Sequence, residues 1–550
     1  MSLVLQTQQL SYQVHNQPEV LFQDVNMTLY EGDHVGLLGR NGAGKTTLLR
    51  LLLDELEPTS GHIICNAPVG IIRQEDQLER ADTTLNALLA SHPDLANIHQ
   101  KMTVLEQAGI PDPLTYADLV HDFSEQGGYD LCQQVEQEVS LLGFEVDVLS
   151  KPVSSLSGGQ RRLLKLMSAF VQPSPLLLLD EPTNYLDEQA SQYLIDKLDD
   201  YYGACLIISH DRWFLDQVVT QIYELDHQQI THYSGNYSQF RATKDATFKQ
   251  QTRQKERLEA DIGKLQETAR SYVIWGGRKE KEKSGALDKG FISARAARLQ
   301  KRGLLAKERM LAKIDELEHT KPWLDKHYSI HFPEDIQVPT GTCLTLQDIS
   351  FDAYRNDTRV DDASNIPSTS QPILNNIHLT LPWGSHMALV AANGSGKTTL
   401  FKLLTRKLMP TSGQVLWSKG VQLGYLPQVW NMPNNVTTIA ELFSNDESHQ
   451  ARTTLGALHV KGDVFFKPLN ALSEGQKRKV SLVRLMLSAP NVLLLDEPST
   501  HLDYESLEML EHALASYPGT ILLVSHDKYL RERVCDQHLD LSALSAKLES

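Results

Sequence analysis

Cysteine is scarce in this chain of 550 residues, and long apolar runs are missing from it. The five cysteines are odd in number, scattered and never arranged as CxxC, which argues against structural zinc, iron–sulfur clusters and a disulfide framework. No apolar stretch approaches the roughly 18 residues that a membrane-spanning helix needs. The first residues also lack the basic start and apolar core of a secretory signal. The sequence therefore predicts a protein of the reducing cytoplasm that does not enter a membrane.

Positive charge is also scarce overall, but one segment is basic. The formal net charge is −17, yet residues 241–320 hold 20 Lys and Arg against 12 Asp and Glu, a balance of +8 that leaves −25 for the remainder. A basic segment between two acidic bodies indicates a localised contact with a polyanion. The alternative is a solvated helical hairpin, since long surface helices are often rich in Lys and Glu.

The same ordered series of motifs occurs twice in the chain. Lys45 and Lys397 are 352 residues apart and Gln74 and Gln428 are 354 apart, whereas the later pairs of motifs are 316 apart. The first half therefore contains about 38 extra residues after Gln74. The second half has its own addition before its glycine-rich loop, the polar segment Asp352–Gln371, which is typical of a surface loop.

Each half alternates short apolar strands with helices. Unbroken apolar runs end at Asp180 and Asp496, as expected of strands buried on both faces of a sheet. This alternation predicts an α/β fold with a mainly parallel core in each half. Between the halves, two apolar stripes at helical spacing predict a pair of amphipathic helices that pack antiparallel as a coiled coil. The stripes are Leu258, Ile262, Leu265, Ala269 and Tyr272, and then Leu304, Leu311, Ile314 and Leu317.

The break between these two helices, residues 275–290, is charged and rich in glycine. It is either a probe presented on a long stalk or a disordered turn.

Two glycine-rich loops predict phosphate binding. Backbone N–H groups and a helix N-terminus surround phosphate oxygens in such loops, while a lysine neutralises their charge. The predicted phosphate-binding residues are Gly39, Asn41, Gly42, Gly44, Lys45, Thr46 and Thr47 in the first loop, and Asn393, Gly394, Gly396, Lys397, Thr398 and Thr399 in the second. The second loop begins with Ala391 in place of glycine, so its turn is expected to be tighter.

Acidic residues follow the buried strands at matching positions in the two halves. Asp180 and Asp496 end strands, where carboxylates reach the water shell of Mg²⁺. The adjacent carboxylates are predicted to activate or orient the attacking water, and a histidine after the next strand is predicted to contact the γ-phosphate. The predicted catalytic residues are Glu181, Glu497, His210 and His526, and the predicted metal ligands are Thr46, Gln74, Asp180, Thr398, Gln428 and Asp496.

Two further segments, Leu156–Arg162 and Leu472–Arg478, match the signature of ATP-binding cassette proteins. The chain thus resembles tandem cassette ATPases, which implies ATP and Mg²⁺ as cofactors and two P-loop NTPase domains. By this resemblance each signature binds the γ-phosphate of the ATP held by the opposite half. Site one then joins Lys45 and Glu181 to Ser473, Gly475 and Gln476, and site two joins Lys397 and Glu497 to Ser157, Gly158, Gly159 and Gln160.

Other positions follow from the same resemblance. Tyr12 and Phe351 correspond to the aromatic residue that stacks on adenine, and Gln74 and Gln428 correspond to the Q-loops. The D-loops are Tyr185–Asp187 and His501–Asp503. Glu474 departs from the usual glycine and is expected to place a carboxylate near site one.

Fused cassettes without membrane segments, joined by a basic two-helix linker, resemble the ABC-F family. The local patterns Tyr233–Ser238 and Gly424–Gln428 are also common there. The resemblance implies a ribosome partner, with residues 241–320 contacting rRNA and P-site tRNA between the tRNA exit site and the peptidyl transferase centre. The expected domains are a first cassette at 1–240 with an arm-like helical insertion near 80–135, a linker at 241–340 and a second cassette at 341–550, all in one monomeric chain.

Within that family, a linker of about 100 residues favours antibiotic resistance by ribosome protection over a housekeeping role in translation. A rival of another class is the ATP-binding subunit of a membrane transporter, in which the basic linker would have no role. A DNA-repair cassette ATPase is disfavoured, because zinc modules and very long coiled coils are missing from the sequence. The sequence therefore predicts no membrane partner and no DNA partner.

Overall fold

The computed structural model describes residues 2–14, 20–73, 76, 78, 83–171, 173–184, 186–281, 305, 308–315, 329–333, 335–352, 373–391, 394–430, 436–460 and 462–541, with the backbone alone at 91, 269–281, 445 and 446. The chain forms two compact units. One unites Met1–Tyr237 with Tyr328–Ser550 and contains both cassettes, and the other is Ser238–His327. Most of the predicted surface loop after Asp352, and the linker tip beyond Lys281, lie outside the described residues.

The first cassette is built on a six-stranded sheet whose core is parallel. Its strand order is β5-β6-β7-β3-β8-β9, and a small antiparallel sheet β2-β1-β4 lies beside it. The strands are β1 (Leu3–Gln13), β2 (Val20–Tyr30), β3 (His34–Leu38), β4 (Ser60–Cys65), β5 (Val69–Ile72), β6 (Leu176–Asp180), β7 (Ala204–Ile208), β8 (Gln221–Asp226) and β9 (Gln229–Ser234). All five residues of β6 and of β7 are buried, as their apolar sequences predict.

Helices connect these strands and cover the sheet. They are α1 (Lys45–Leu52), α2 (Thr84–Leu88), α3 (Pro93–Gln107), α4 (Pro113–Glu125), α5 (Gly128–Leu141), α6 (Gly158–Val171), α7 (Glu188–Asp199) and α8 (Arg212–Val218). A separate small core formed by Leu89, Leu95, Met102, Phe123 and Leu131 supports the inserted helices. The extra residues of the first half therefore fold as the helices α3 and α4.

The second unit contains the long helix α9 (Tyr237–Lys281), and residues 308–315 are also helical. In α9, Ile262 is buried and Leu258 and Leu265 are half-buried, which matches the predicted stripe. Within residues 308–315 the buried side chain is Ile314, whereas Leu311 is 49% exposed. Leu311 was wrongly predicted to lie in the apolar seam, because helical spacing alone does not distinguish it from the neighbouring half-buried Met310.

The second cassette repeats the arrangement of the first. Its parallel sheet has the order β14-β15-β16-β12-β17, and its antiparallel sheet has the order β11-β10-β13. The strands are β10 (Thr342–Phe351), β11 (Leu374–Pro382), β12 (His386–Val390), β13 (Ser412–Trp417), β14 (Leu423–Leu426), β15 (Val492–Asp496), β16 (Thr520–Val524) and β17 (Gln537–Asp540). The helices are α10 (Lys397–Leu404), α11 (Ile439–Leu442), α12 (Asn445–Ala457), α13 (Glu474–Leu487), α14 (Tyr504–Ala515) and α15 (Lys528–Val534).

The packed part of the second cassette begins before residue 341. Ile330 and Phe332 are 2% and 7% exposed and belong to its main core. The Phe332 ring lies 4.8 Å from the ring of Tyr517, centroid to centroid. Residues near 330 therefore pack with this cassette, although the sequence analysis assigned them to the linker.

Candidate functional site: two nucleotide-binding surfaces between the cassettes

Each glycine-rich loop lies between a buried central strand and the helix that follows it. The Lys45 ammonium donates to the Gly39 carbonyl at 2.6 Å, and the Lys397 ammonium donates to the Ala391 carbonyl at 2.5 Å. Burial lowers the pKa of both lysines, and the carboxylates Glu181 and Glu497 oppose that shift. Ala391 therefore supplies the same carbonyl contact as Gly39.

The backbone of the first loop is held in a tight turn. Gly39 has φ +156°, and a Cβ there would lie 2.5 Å from the carbonyl oxygen of Leu225. Gly44 and Gly396 begin the following helices with φ +107° and +92°, in the left-handed region that favours glycine. In the second loop the buried Ser395 hydroxyl makes no hydrogen bond with the described residues. Helix N-termini with a lysine and a buried hydroxyl without a partner fit the phosphate groups of a nucleotide.

A threonine and an aspartate meet at the base of each loop. Thr46 Oγ1 lies 3.4 Å from Asp180 Oδ2, and Thr398 Oγ1 lies 3.0 Å from Asp496 Oδ2. Burial raises the pKa of both aspartates, against the effect of the nearby lysines. A cavity of about 230 Å³ adjoins Thr46 and Asp180.

These oxygen pairs fit Mg²⁺, which usually keeps several waters and takes one or two protein oxygens plus phosphate. No cluster of three or more His, Cys, Asp or Glu in the described ranges could enclose a metal ion by itself. Gln428 is described and exposed. Gln74 and Asn393 lie outside the described residues, so their predicted roles remain predictions.

The two predicted catalytic carboxylates occupy strained and buried positions. Glu181 and Glu497 have φ +52° and +48°, which is uncommon for residues other than glycine and is often found at functional sites. Each side chain is 10% exposed, and its Oε1 lies 3.4 Å from Nε2 of His210 or His526. Burial raises the pKa of Glu181 to about 8 and of Glu497 to about 7. Carboxyl groups poised near neutral pH suit general-base chemistry.

The paired histidines are uncharged at neutral pH. Burial lowers the pKa of His210 to about 3 and of His526 to about 4, and the nearby lysines add to the effect. A neutral imidazole serves as a hydrogen-bond partner here rather than as a cation. Each histidine also donates its backbone N–H to the adjacent glutamate, at 3.4 Å for His210 and 3.2 Å for His526.

The signature residues begin two helices. Ser473 accepts from the Gln476 backbone N–H at 3.2 Å while its own N–H donates to Gln476 Oε1 at 3.1 Å, and Ser157 and Gln160 make the same pair. This reciprocal capping satisfies backbone N–H groups at the start of each helix. The Glu474 carboxylate lies 2.6 Å from the Lys477 ammonium, so its charge is balanced within its own helix.

The structure brings the first P-loop and the second signature together. Asn41 donates its side-chain amide to the His501 carbonyl at 3.0 Å and its backbone N–H to Asp503 at 3.3 Å. A Cβ at Gly475 would lie 2.8 Å from the Asn41 amide. The first P-loop and the second signature therefore share one surface between the cassettes, while the predicted roles of their residues toward a nucleotide remain predictions.

Site two is described only in part. The Asp187 carboxylate is close enough to raise the pKa of Lys397, against the larger effect of burial. Within the described part of the chain, a Cβ at Gly158 or Gly159 would meet no atom within 4 Å. The residues equivalent to Asn41 and His501, which meet the buried Gly475, are Asn393 and Tyr185, and both lie outside the described residues.

Two arginines missed by the sequence analysis tie the signature helices to the catalytic strands. Arg162 donates to the Glu181 carbonyl at 3.0 Å, and Arg478 donates to the Glu497 carbonyl at 2.6 Å and the Asp496 carbonyl at 2.8 Å. Burial lowers the pKa of Arg478 to about 10. Their repetition at a spacing of 316 residues was the signal that could have revealed them.

The two residues that are predicted to stack on adenine differ in how deeply they are buried. Tyr12 is partly buried and packs against the core of the first cassette. Phe351 is 4% exposed and belongs to a core cluster of the second cassette, which leaves little of its ring for a base to stack on. Stacking by either ring remains a prediction.

Comparisons with known proteins agree with this architecture. The family model described as ABC transporter matches residues 22–184 and 374–500, and a second model of the same description matches residues 223–329. The chain is 30% identical to the ribosome protection protein VmlR of Bacillus subtilis (strain 168), over 97% of this chain and 86% of that protein. It is also 30% identical to the energy-dependent translational throttle protein EttA of Mycobacterium tuberculosis (strain CDC 1551 / Oshkosh), over 94% of this chain and 88% of that protein.

Among solved structures, a similar fold occurs in a crystal structure of the archaeal ribosomal stalk protein aP1 with the archaeal ribosome recycling factor aABCE1. The TM-score is 0.54 at 18% identity, covering 97% of this chain and 87% of that one. None of the helices in the described ranges is both long and apolar enough to cross a membrane. With two cassettes matched and relatives aligned along nearly its whole length, the chain is a member of the ABC-F family of tandem ATP-binding cassette ATPases, and it is an ATP hydrolase.

Proposed function

We propose that this ATPase binds the ribosome in its ATP-closed form and acts through the linker at 241–320. The linker would contact rRNA and P-site tRNA between the tRNA exit site and the peptidyl transferase centre. The observation that carries the proposal is the contact between Asn41 of one cassette and Gly475 of the other, because ATP held at such a shared surface links the two cassettes. The chain is proposed to work in the cytoplasm as a monomer.

The residues of each site have distinct proposed roles. Lys45 and Lys397 neutralise phosphate charge, and the Thr46–Asp180 and Thr398–Asp496 pairs would hold Mg²⁺. A bound Mg²⁺ supplies positive charge beside the phosphate oxygens. In each site the buried glutamate accepts a proton from the attacking water. The neutral histidine beside it orients the glutamate side chain.

Charge on the linker supports a nucleic acid partner. Residues 241–320, which include most of the long helix α9, carry a net charge of +8. Lysine and arginine side chains on such a helix neutralise phosphates and release condensed counterions, so that binding weakens steeply as salt rises. Binding of the ATP-closed form is therefore expected to depend on salt concentration.

The two named relatives support a role in translation. One is called a ribosome protection protein and the other a translational throttle protein, and both align over more than nine-tenths of this chain. Between these two roles we favour antibiotic resistance by ribosome protection, since a linker of about 100 residues gives long reach. A housekeeping translation factor is the alternative.

Sedimentation tests the ribosome assignment. A Glu181→Gln/Glu497→Gln variant with ATP is expected to pellet with 70S ribosomes, whereas the same variant with ADP stays in the supernatant. A Lys45→Ala/Lys397→Ala variant is the matched control, because it lacks the phosphate-neutralising ammonium groups. Association with membrane vesicles in place of ribosomes would instead indicate a transporter subunit.

Drug susceptibility tests the finer assignment. Cells that express the parent chain are expected to tolerate at least one ribosome-targeting antibiotic several-fold better than cells without it. Exchange of residues 275–290 for a Gly/Ser segment of equal length should remove that tolerance while ribosome pelleting persists. A growth or translation defect in cells lacking the protein, with no change in tolerance to any ribosome-targeting drug, would favour the housekeeping alternative.

A further inference from the structure

A cluster of charged and polar side chains spans the cassettes beside site one. Arg40, in the first P-loop, contacts Glu505 on the first turn of α14, with Nε 2.7 Å from Oε2 and Nη2 3.4 Å from Oε1. His459 Nε2 lies 3.0 Å from the same Oε2. The Tyr504 hydroxyl donates to Glu224 of the first cassette at 2.5 Å and lies 3.1 Å from Glu505 Oε1. We call Arg40, Glu505 and His459 the charged clasp.

The clasp is partly shielded from water. The side chains of Arg40, Glu505 and His459 are 23%, 17% and 25% exposed. A two-pronged contact of arginine with a carboxylate in such surroundings is stronger than an isolated surface ion pair. A further carboxylate of the first cassette, Asp226, lies 3.9 Å from the Arg40 Nε. The Arg40 cation therefore lies between carboxylates of both cassettes.

His459 occupies a position whose backbone favours glycine. It follows the helix α12 with φ +60°, and its N–H donates to the Gly456 carbonyl at 3.0 Å. In the first cassette Gly143 follows α5 with φ +79°, and its N–H donates to the Ser140 carbonyl at 3.0 Å. A side chain with φ in this region is strained, and such strain often marks a functional position.

The corresponding positions of site two carry no charge. The spacings of 352 and 316 residues pair Arg40 with Ala392, Glu505 with Gln189 and His459 with Gly143. The sheets support these spacings, because Leu38 pairs with Glu224 in the first cassette as Val390 pairs with Asp540 in the second. The neighbourhood is also preserved, since a Cβ at Gly143 would lie 3.6 Å from the Gln189 amide nitrogen.

The surface beside the clasp is tightly packed. There Gly475 of the second signature is buried, and a Cβ on it would lie 2.8 Å from the Asn41 amide. The clasp therefore joins the cassettes next to a close contact between the first P-loop and the second signature.

We propose that the charged clasp holds site one shut, so that the two nucleotides are released unequally and site two is the faster to exchange. Arg40, Glu505 and His459 are positioning residues that act through the P-loop and α14 rather than on the nucleotide. This inference rests on the proposed ATP-dependent closure of the cassettes. Beyond that closure, it specifies that site two opens before site one.

Release of a fluorescent ATP analogue tests the clasp in the full chain. In the Glu181→Gln/Glu497→Gln background, a chase with excess ATP is expected to show two phases. The slow phase should vanish with Lys45→Ala and the fast phase with Lys397→Ala, which assigns the slow phase to site one. Glu505→Gln is expected to accelerate the slow phase about tenfold and to leave the fast phase unchanged.

Matched variants distinguish faster release caused by loss of the clasp from faster release caused by a general loss of structure. Gln189→Glu, which changes one charge at the equivalent helix of the first cassette, should alter neither phase. Arg40→Ala should act like Glu505→Gln, and the double variant should be no faster than either alone, because both changes break one contact. His459→Gly removes the imidazole and relieves the backbone strain, so faster release without a lower melting temperature is expected.

Several results would overturn the inference. These are equal release from both sites, a slow phase that Glu505→Gln leaves unchanged, and acceleration of both phases together. Failure of the background variant to retain any nucleotide would instead contradict the proposed closure on ATP. The two failures are therefore distinguishable on the same instrument.

Discussion

Replacing Glu181 and Glu497 together with glutamine is expected to lower the rate of ATP hydrolysis by about 10²–10⁴-fold, the usual contribution of a general base. Glutamine keeps the size of the side chain and its hydrogen bond to the neighbouring histidine, but its amide cannot take a proton from water. ATP binding should therefore persist. Phosphate release and equilibrium binding of ATP, measured on the same preparation, check the two halves of this prediction.

The pH profile provides an internal control for the same carboxylates. Burial raises the pKa of Glu181 to about 8 and of Glu497 to about 7, so both are largely protonated at pH 6 and unable to act as bases. The parent kcat/KM is expected to rise roughly tenfold per pH unit below about pH 7 and to level off above about pH 8. The histidine partners have depressed pKa values and titrate below this range.

A glutamine variant should lose this rise with pH along with its activity. Hydrolysis at the parent rate in the double variant, or a kcat/KM that is flat between pH 6 and 8, would show that neither glutamate is the base. The single variants should each keep activity from the other site, unless the two sites turn over only together.

Local pattern was sufficient to predict the parts of each site that lie on one stretch of chain. The apolar runs that end at Asp180 and Asp496 are buried strands, and the lysines of the glycine-rich loops begin helices. These features depend on the sequence within a few residues and on burial of parallel strands. The repeat added the pairing of each motif with its counterpart.

Contacts between distant segments were not predictable from the same patterns. Arg40 and Glu505 are 465 residues apart, and although Arg40 lies within the first glycine-rich loop, nothing in that motif indicates a partner on a distant helix. Phe351 corresponds by resemblance to a stacking aromatic residue but packs in the core, because the sequence does not reveal which face of its strand is covered. By contrast, the balance of Glu474 by Lys477 was visible as an i, i+3 pair and was overlooked.

Replacing Arg212 with alanine is expected to destabilise the junction of the cassettes by about 3–5 kcal/mol, the range for breaking a buried ion pair. The Arg212 side chain is 5% exposed and belongs to α8 of the first cassette. It contacts Glu511 and Asp527 of the second, which are 1% and 8% exposed. Burial alone would lower the pKa of Arg212, but the two carboxylates outweigh it and raise the pKa overall.

Arg533 supplies the matched control, because it faces the same carboxylate from a half-exposed position. Its guanidinium lies 3.6 Å from Glu511 Oε2 and its side chain is 50% exposed, so Arg533→Ala is expected to cost about 0–1 kcal/mol. Differential scanning calorimetry should show Arg212→Ala melting earlier, with the cassettes unfolding in separate steps, and Arg533→Ala close to the parent. If both variants melted alike, the cost would not arise from the buried charge. If the cost does arise from the buried charge, Arg212→Met combined with Glu511→Leu should recover part of the loss, because it removes both ions of that pair but leaves the Asp527 carboxylate without Arg212.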